Sequence, residues 1–110
     1  MKKLFIGLLL LVSGSALAQT SEVTFWVNGV CGMCEKRIES TLINSPGVKF
    51  ADWDNQTSQV KVAYNSKKIT EQKLHEILAG AGHDTQKVRA KDEDYAKVPG
   101  CCKYRTLEKH

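Results

Sequence analysis

The chain has 110 residues, of which 42% are hydrophobic, and a formal net charge of +4, values typical of one small globular domain. Lysines and acidic residues are mixed along the sequence, and so mild a positive balance gives no support for binding to nucleic acid or to an acidic membrane surface. The sequence shows no serine–histidine–acid order and no glycine-rich phosphate loop, so it predicts a protein that is not an enzyme.

The first 18 residues are typical of a secretory signal peptide. The chain begins Met1-Lys2-Lys3, continues with an apolar run over residues 4–12 and then reaches Ala16-Leu17-Ala18. This is the order of a positive start, an apolar core and a small-residue cleavage site. The apolar run is shorter than the roughly 20 residues that span a bilayer. We therefore expect cleavage after Ala18, a periplasmic or secreted protein, and no stable membrane insertion of the remaining chain.

Six elements are predicted in the order strand, helix, strand, strand, helix, strand. Alternating apolar residues predict the strands, and apolar residues three and four apart predict amphipathic helices. The predicted strands are residues 22–27, 48–53, 59–64 and 85–90, and the helices begin at Cys34 and after the N-cap Thr70. This order predicts an α+β fold, a ferredoxin-like βαββαβ sandwich with a four-stranded antiparallel sheet and two helices on one face.

The remaining sequence, residues 91–110, is charged and aperiodic. The chain is therefore divided into a signal peptide over residues 1–18, a domain over residues 19–90 and a Cys-containing C-terminal tail.

Cys31 and Cys34 lie in the predicted loop between the first strand and the first helix. The N–H groups and the dipole at a helix start favour an anionic sulfur, and thiolates are soft ligands that suit Cu(I) and also bind Zn(II). Two sulfurs make a nearly linear site that suits Cu(I) or Hg(II), whereas a structural zinc site uses four ligands. The same spacing also occurs in redox motifs, and export permits structural disulfides, so three interpretations stay open.

The segment "GVCGMCEKRIE", placed after a strand in this element order, resembles the heavy-metal-associated domain. Copper chaperones, N-terminal modules of metal-transporting ATPases and the periplasmic mercury-binding protein share that domain. The resemblance covers about residues 22–90 and implies metal carriage, with Cys31 and Cys34 as the main metal ligands. It also implies a metal-transporting ATPase or another metal-handling protein as the partner.

The loop departs from the usual family pattern G-M-x-C-x-x-C. This chain has Gly29-Val30-Cys31, which is one residue shorter and lacks the methionine. In the family that methionine packs under the loop, so Val30 and Met33 are the candidates to take its place.

Three further residues are candidate auxiliary metal ligands: His83, Cys101 and Cys102. His83 follows the second helix, in a loop that lies beside the metal loop in the family. Cys101 and Cys102 follow a Pro-Gly turn, and the ten residues before them can extend about 30 Å, enough to cross the domain. Adjacent cysteines rarely bond to each other because the ring is strained. The pair could therefore form disulfides with the first pair, make a second soft-metal site, or fold over the first pair and add thiolates to its site.

The leading hypothesis is an exported protein that binds and transfers or buffers a thiophilic ion, with Cu(I) preferred and Hg(II) or Zn(II) possible. The alternative is a thiol–disulfide oxidoreductase that uses the same two cysteines. Against it, two strands separate the predicted helices, no proline is placed to face the pair, and no aromatic residue directly precedes Cys31.

Overall fold

A computed structural model describes residues 20–110, and the predicted signal peptide lies outside the described residues. The elements are β1 (Thr20–Trp26), α1 (Gly32–Ile43), β2 (Val48–Trp53), β3 (Gln59–Asn65), α2 (Glu71–Gly80) and α3 (Asp92–Tyr95), followed by a 3₁₀ turn over Gly100–Cys102. Within the described residues, no helix is long and apolar enough to cross a membrane.

The sheet has three antiparallel strands in the order β1-β3-β2. Along the central strand, Val60 and Val62 are buried whereas Lys61 is exposed, because successive side chains point to opposite faces. The covered face and the inward sides of α1 and α2 form one core, which includes Val60, Val62, Ile38, Leu42, Leu74 and Leu78. The predicted α+β arrangement with two main helices is confirmed.

The prediction of a fourth strand over residues 85–90 is wrong. That segment pairs with the sheet through a single antiparallel bridge between Thr85 and Val27, and the Trp26 N–H also donates to the Gln86 side-chain oxygen. The Thr85 hydroxyl accepts hydrogen bonds from the backbone N–H groups of Lys87 and Val88, and the Thr85 N–H donates to the Val88 carbonyl. The chain therefore turns back on itself instead of running on beside β1, which leaves a three-stranded sheet.

The second helix begins at the N-cap that its sequence predicts, and glycine is required just after its end. The Thr70 hydroxyl accepts a hydrogen bond of 3.2 Å from the Lys73 N–H, as an N-cap should. After the helix, Gly82 has φ of +101°, and a Cβ there would lie 2.7 Å from the Asp94 carbonyl oxygen and from a Val98 methyl group. Only glycine fits this position, because the C-terminal segment lies directly against the end of α2.

The C-terminal segment, residues 91–110, folds back onto the domain, although its sequence indicates only a tail. Val98, Cys102 and Tyr104 are 3%, 0% and 6% exposed, and all three belong to the main core. Their spacing fits neither a helix nor a strand, so periodicity could not have predicted their burial. The fold thereby brings the second cysteine pair to the domain that carries the first.

Candidate metal centre

The loop between β1 and α1 is held from two neighbouring loops. Its first residue, Asn28, donates its N–H to the Asp84 carbonyl at 2.8 Å and accepts a 2.9 Å hydrogen bond from His83 Nδ1. Just before it, the Val27 N–H donates to the Ser58 carbonyl. The backbone that presents the first cysteine is therefore fixed by residues distant in sequence.

Cys31 is the N-cap of α1, and Cys34 lies in the first turn of that helix. The two side chains turn inward, so that Cys31 is 7% exposed and Cys34 is fully buried. Their Sγ atoms are 3.9 Å apart, and neither forms a disulfide. The predicted pair is thus two neighbouring thiols at a helix start, within reach of one ion.

The environment of Cys31 lowers the pKa of its thiol. Burial opposes ionisation, but the backbone N–H groups of Cys34 and Met33 and the thiols of Cys34 and Cys102 stabilise the thiolate and outweigh it. A soft metal binds the thiolate and displaces its proton, and a lowered pKa favours that thiolate form at Cys31.

Trp53 forms the floor under the loop. Its side chain is 1% exposed, and its indole Nε1–H donates to the Val27 carbonyl at 3.0 Å. A Cβ on Gly29 would lie 2.9 Å from the Trp53 ring and 3.0 Å from the Cβ of Cys34. Glycine is therefore required here because the loop backbone packs directly on the indole ring.

Val30, and not Met33, packs beneath the loop. Val30 is 3% exposed and belongs to the core, whereas Met33 is 48% exposed. Of the two candidates for the place of the family methionine, the structure selects the valine, which leaves the Met33 side chain on the surface beside the cysteines.

The C-terminal segment brings Cys101 and Cys102 to the same place. The Sγ atoms of Cys31, Cys101 and Cys102 all lie within 4.8 Å of one another, and Cys31 Sγ is 3.4 Å from the Cys101 carbonyl oxygen. Cys102 is fully buried, and Cys101 is exposed. Burial, followed by its contact with Cys34, raises the pKa of the Cys102 thiol. All four cysteines of the chain are thus gathered at one site as free thiols.

His83 lies next to the loop without joining the sulfur group. Its ring is fully buried and stacks on Tyr104, and burial lowers its pKa, which favours the neutral form. Its Nδ1 donates to Asn28, and its Nε2 has no hydrogen-bond partner. Among the described residues, the two groups of potential ligands within 4.8 Å are the three cysteines and a partly exposed acidic trio, Glu35, Glu39 and Asp52. His83 belongs to neither, and its role as a ligand stays a prediction.

The C-terminal segment is held over the site by residues that the sequence did not indicate. Tyr104 and Arg105 contact the loop after α2. Lys109 donates to the Gly29 carbonyl and to the Ser58 hydroxyl, and the His110 N–H donates to the Val30 carbonyl at 2.7 Å. In the sequence, the aromatic and basic residues that follow the second cysteine pair are the one sign that this segment docks on the domain.

A small α+β domain with a pair of buried thiols at a helix start is an arrangement that soft-metal-binding proteins use, and the comparison with known families decides for that class. A family profile described as "Heavy-metal-associated domain" matches residues 24–84. This chain belongs to the heavy-metal-associated domain family, whose metallochaperones are not enzymes.

Two similar proteins are consistent with membership of this family. The copper chaperone CopZ of Staphylococcus aureus is 33% identical over 54 residues, which are 49% of this chain and 79% of that protein. The structure of oxidized MerP from Ralstonia metallidurans is 29% identical with a TM-score of 0.58, and the match covers 61% of this chain and 94% of MerP.

A third relative links the domain to metal-transporting ATPases. The N-terminal domain of a potential copper-translocating P-type ATPase from Bacillus subtilis, solved in its Cu(I)-loaded state, is 29% identical with a TM-score of 0.58. The match covers 66% of this chain and 92% of that domain. The family profile ends at residue 84, so the second cysteine pair lies beyond the part that defines the family.

Proposed function

We propose that the protein is exported and that it binds and hands on a thiophilic ion, Cu(I), through Cys31 and Cys34. The observation that carries the proposal is the pair of neighbouring thiols, with Sγ atoms 3.9 Å apart, at the start of α1 in a heavy-metal-associated domain. Thiolates prefer Cu(I) to hard ions. The relatives named for copper make Cu(I) the first choice of ion, and MerP makes Hg(II) the second.

The chemistry of uptake follows from the surroundings of the pair. The thiols lose their protons to solvent as the sulfurs bind the ion, and the helix N-terminus stabilises the resulting negative charge. An incoming thiolate from a partner can attack the bound ion, so that the ion moves by ligand exchange without entering water. The likeness to an ATPase metal-binding domain supports a metal-transporting ATPase, or another metal-handling protein, as that partner.

Export is the second part of the proposal and rests on the sequence of the first 18 residues, which carries the positive start, apolar core and A-x-A site of a signal peptide. In an oxidising compartment the four thiols would be open to disulfide formation, and a bound soft ion would protect them.

The test of binding is a Cu(I) titration of the reduced, anaerobic protein against a chromogenic Cu(I) chelator. We expect one Cu(I) to be taken from the chelator per chain, and the Cys31→Ser/Cys34→Ser variant to bind at least about tenfold more weakly, since even indirect disturbance of a metal ligand costs 10–100-fold in affinity. The matched control is Ser40→Ala, which changes an exposed residue of the same helix away from its cysteines and should leave the affinity unchanged. Equal affinity of the wild type and the cysteine variant would refute the role of this pair.

A further inference from the structure

We propose that Cys102 and Cys101 complete the metal site, so that the bound ion is held by three or four thiolates rather than by the Cys31–Cys34 pair alone. This inference rests on the proposed function and deepens it, because it changes the coordination of the same ion. The second cysteine pair lies outside the part of the chain that the family profile matches, so the family itself does not supply these ligands.

The first argument is the spacing of the sulfur atoms. With metal–sulfur bonds of about 2.3 Å, two sulfurs lie about 4.6 Å apart in a linear site and about 3.8–4.0 Å apart in a tetrahedral or trigonal one. The Sγ atoms of Cys31 and Cys34 are 3.9 Å apart as metal-free thiols, so a three- or four-sulfur site would accept them nearly where they are, whereas a linear site would require them to move apart by about 0.7 Å. Cys31, Cys101 and Cys102 lie within 4.8 Å of one another, so small side-chain movements would bring them around one ion.

The second argument is the way in which the C-terminal segment is anchored. The Arg105 guanidinium donates to the Asp84 carboxylate at 2.9 Å and to the Ala90 carbonyl at 2.7 Å. The Tyr104 hydroxyl donates to the Gly82 carbonyl at 2.6 Å and accepts from the Asp84 N–H at 2.9 Å. Charge-assisted and buried hydrogen bonds of this kind fix a position, so the segment is docked at one place and not draped over the surface.

The third argument is the position of each sulfur in relation to solvent. Cys102 is fully buried against the first pair, whereas Cys101 is exposed at the outer side. The inner sulfur would be the third ligand, which stays bound until the ion leaves the site. The outer one would be the ligand that leaves first when a partner's thiolate arrives, which preserves transfer in a more closed site.

The test is X-ray absorption at the copper edge on wild type loaded with one Cu(I) per chain, beside the Cys101→Ser/Cys102→Ser variant. We expect at least three sulfur neighbours in the wild type and two in the variant, with Cu(I) affinity lowered at least about tenfold. The control is Glu93→Gln, which changes an exposed residue of the same segment and should leave three or more sulfurs. Two sulfurs in both the wild type and the cysteine variant would overturn the inference.

A second measurement needs no variant and so does not depend on how a variant folds. Wild type with and without one Cu(I) is treated with a thiol alkylating reagent, and the modified cysteines are mapped by mass spectrometry. Because Cys34 and Cys102 are fully buried and should react slowly even without metal, alkylation is followed over time, and we expect Cu(I) to slow it at all four cysteines. Protection of Cys31 and Cys34 with unchanged alkylation of Cys101 and Cys102 would overturn the inference and leave the proposed function standing. A wild type that takes up no Cu(I) would refute the proposed function, and this inference with it.

Discussion

Gly29 lies where the metal loop and the Trp53 ring come closest. The indole is held by its hydrogen bond to the Val27 carbonyl, and the Cβ of Cys34 belongs to the first turn of α1. Neither neighbour can move without disturbing the thiol pair. Gly32, in contrast, has no atom within 4 Å of the place that a Cβ would occupy.

These two glycines give a matched pair of variants. Gly29→Ala should lower the free energy of unfolding by about 1–3 kcal/mol, the usual cost of overpacking, and should weaken Cu(I) binding because the loop must shift. Gly32→Ala should change the stability by less than about 0.5 kcal/mol. Urea unfolding followed by circular dichroism checks both, and similar stabilities for the two variants would contradict the role of the Trp53 ring as the floor of the site.

At the residue scale, the sequence predicts the chemistry of the site better than its packing. Cys31 and Cys34 were singled out by their spacing together with their position in the element order, because a helix start brings residues three apart to the same side. The alternation of its strand places Trp53 on the less apolar face, and although an aromatic residue in a strand favours packing at a sheet face, the sequence does not indicate that the ring lies under the loop. The choice between Val30 and Met33 likewise depends on tertiary contacts.

At the scale of elements, a half-buried ion pair is one of the contacts that hold the C-terminal segment. Arg105 and Asp84 are 16% and 11% exposed at their side chains, so water screens this pair less than a surface one. Although burial opposes ionisation, hydrogen bonds from Arg105 and from the Ala90 N–H hold the pKa of Asp84 below its ordinary value. The pair links the segment that carries the second cysteines to the loop after α2.

Asp84→Asn should therefore lower the free energy of unfolding by about 2 kcal/mol at pH 7, the usual worth of a hydrogen bond to a charged group. Asparagine keeps an acceptor for the Ala90 N–H, so mainly the charge is lost. Because the folded-state pKa is lowered, the contribution is complete above the ordinary carboxyl pKa of about 3.9 and is lost as the pH falls through the folded value.

The measurement is urea unfolding of the wild type and Asp84→Asn between pH 7 and pH 2. The stability difference should be constant from pH 7 to pH 5 and should shrink below pH 4. Glu93→Gln removes an exposed charge from the same segment and should show no such difference. A gap between wild type and Asp84→Asn that persists unchanged to pH 2 would contradict an ionised Asp84 as its cause.

The elements themselves were predictable to different degrees. Three strands and two helices followed from apolar periodicity, since each has one buried face. The fourth strand failed because Thr85 and its neighbours satisfy their backbone groups in a local turn, which competes with sheet pairing. The packing of α3 and the 3₁₀ turn could not be predicted from the sequence. Single buried side chains such as Val98 and Tyr104 hold these elements, and they follow no apolar periodicity.

At the scale of the whole molecule, the order of elements was enough to predict the α+β arrangement and the position of the first cysteine pair on it. The sequence left open how the chain ends, because charged residues alternate there with single apolar ones. In the folded molecule the C-terminal segment, which lies beyond the family domain, places its cysteines against the loop that carries the first pair. We accordingly propose that the protein is exported and carries one soft ion on these cysteines.

The most direct test is native mass spectrometry of the protein recovered anaerobically from the periplasm and the medium of copper-supplemented expressing cells. One spectrum reports both the start of the chain and the bound metal. The account predicts a chain that begins at Gln19 and carries one copper ion, and a Cys31→Ser/Cys34→Ser variant that is cleaved at the same place without copper. An uncleaved chain found only inside the cells, or equal copper on the variant, would contradict the account.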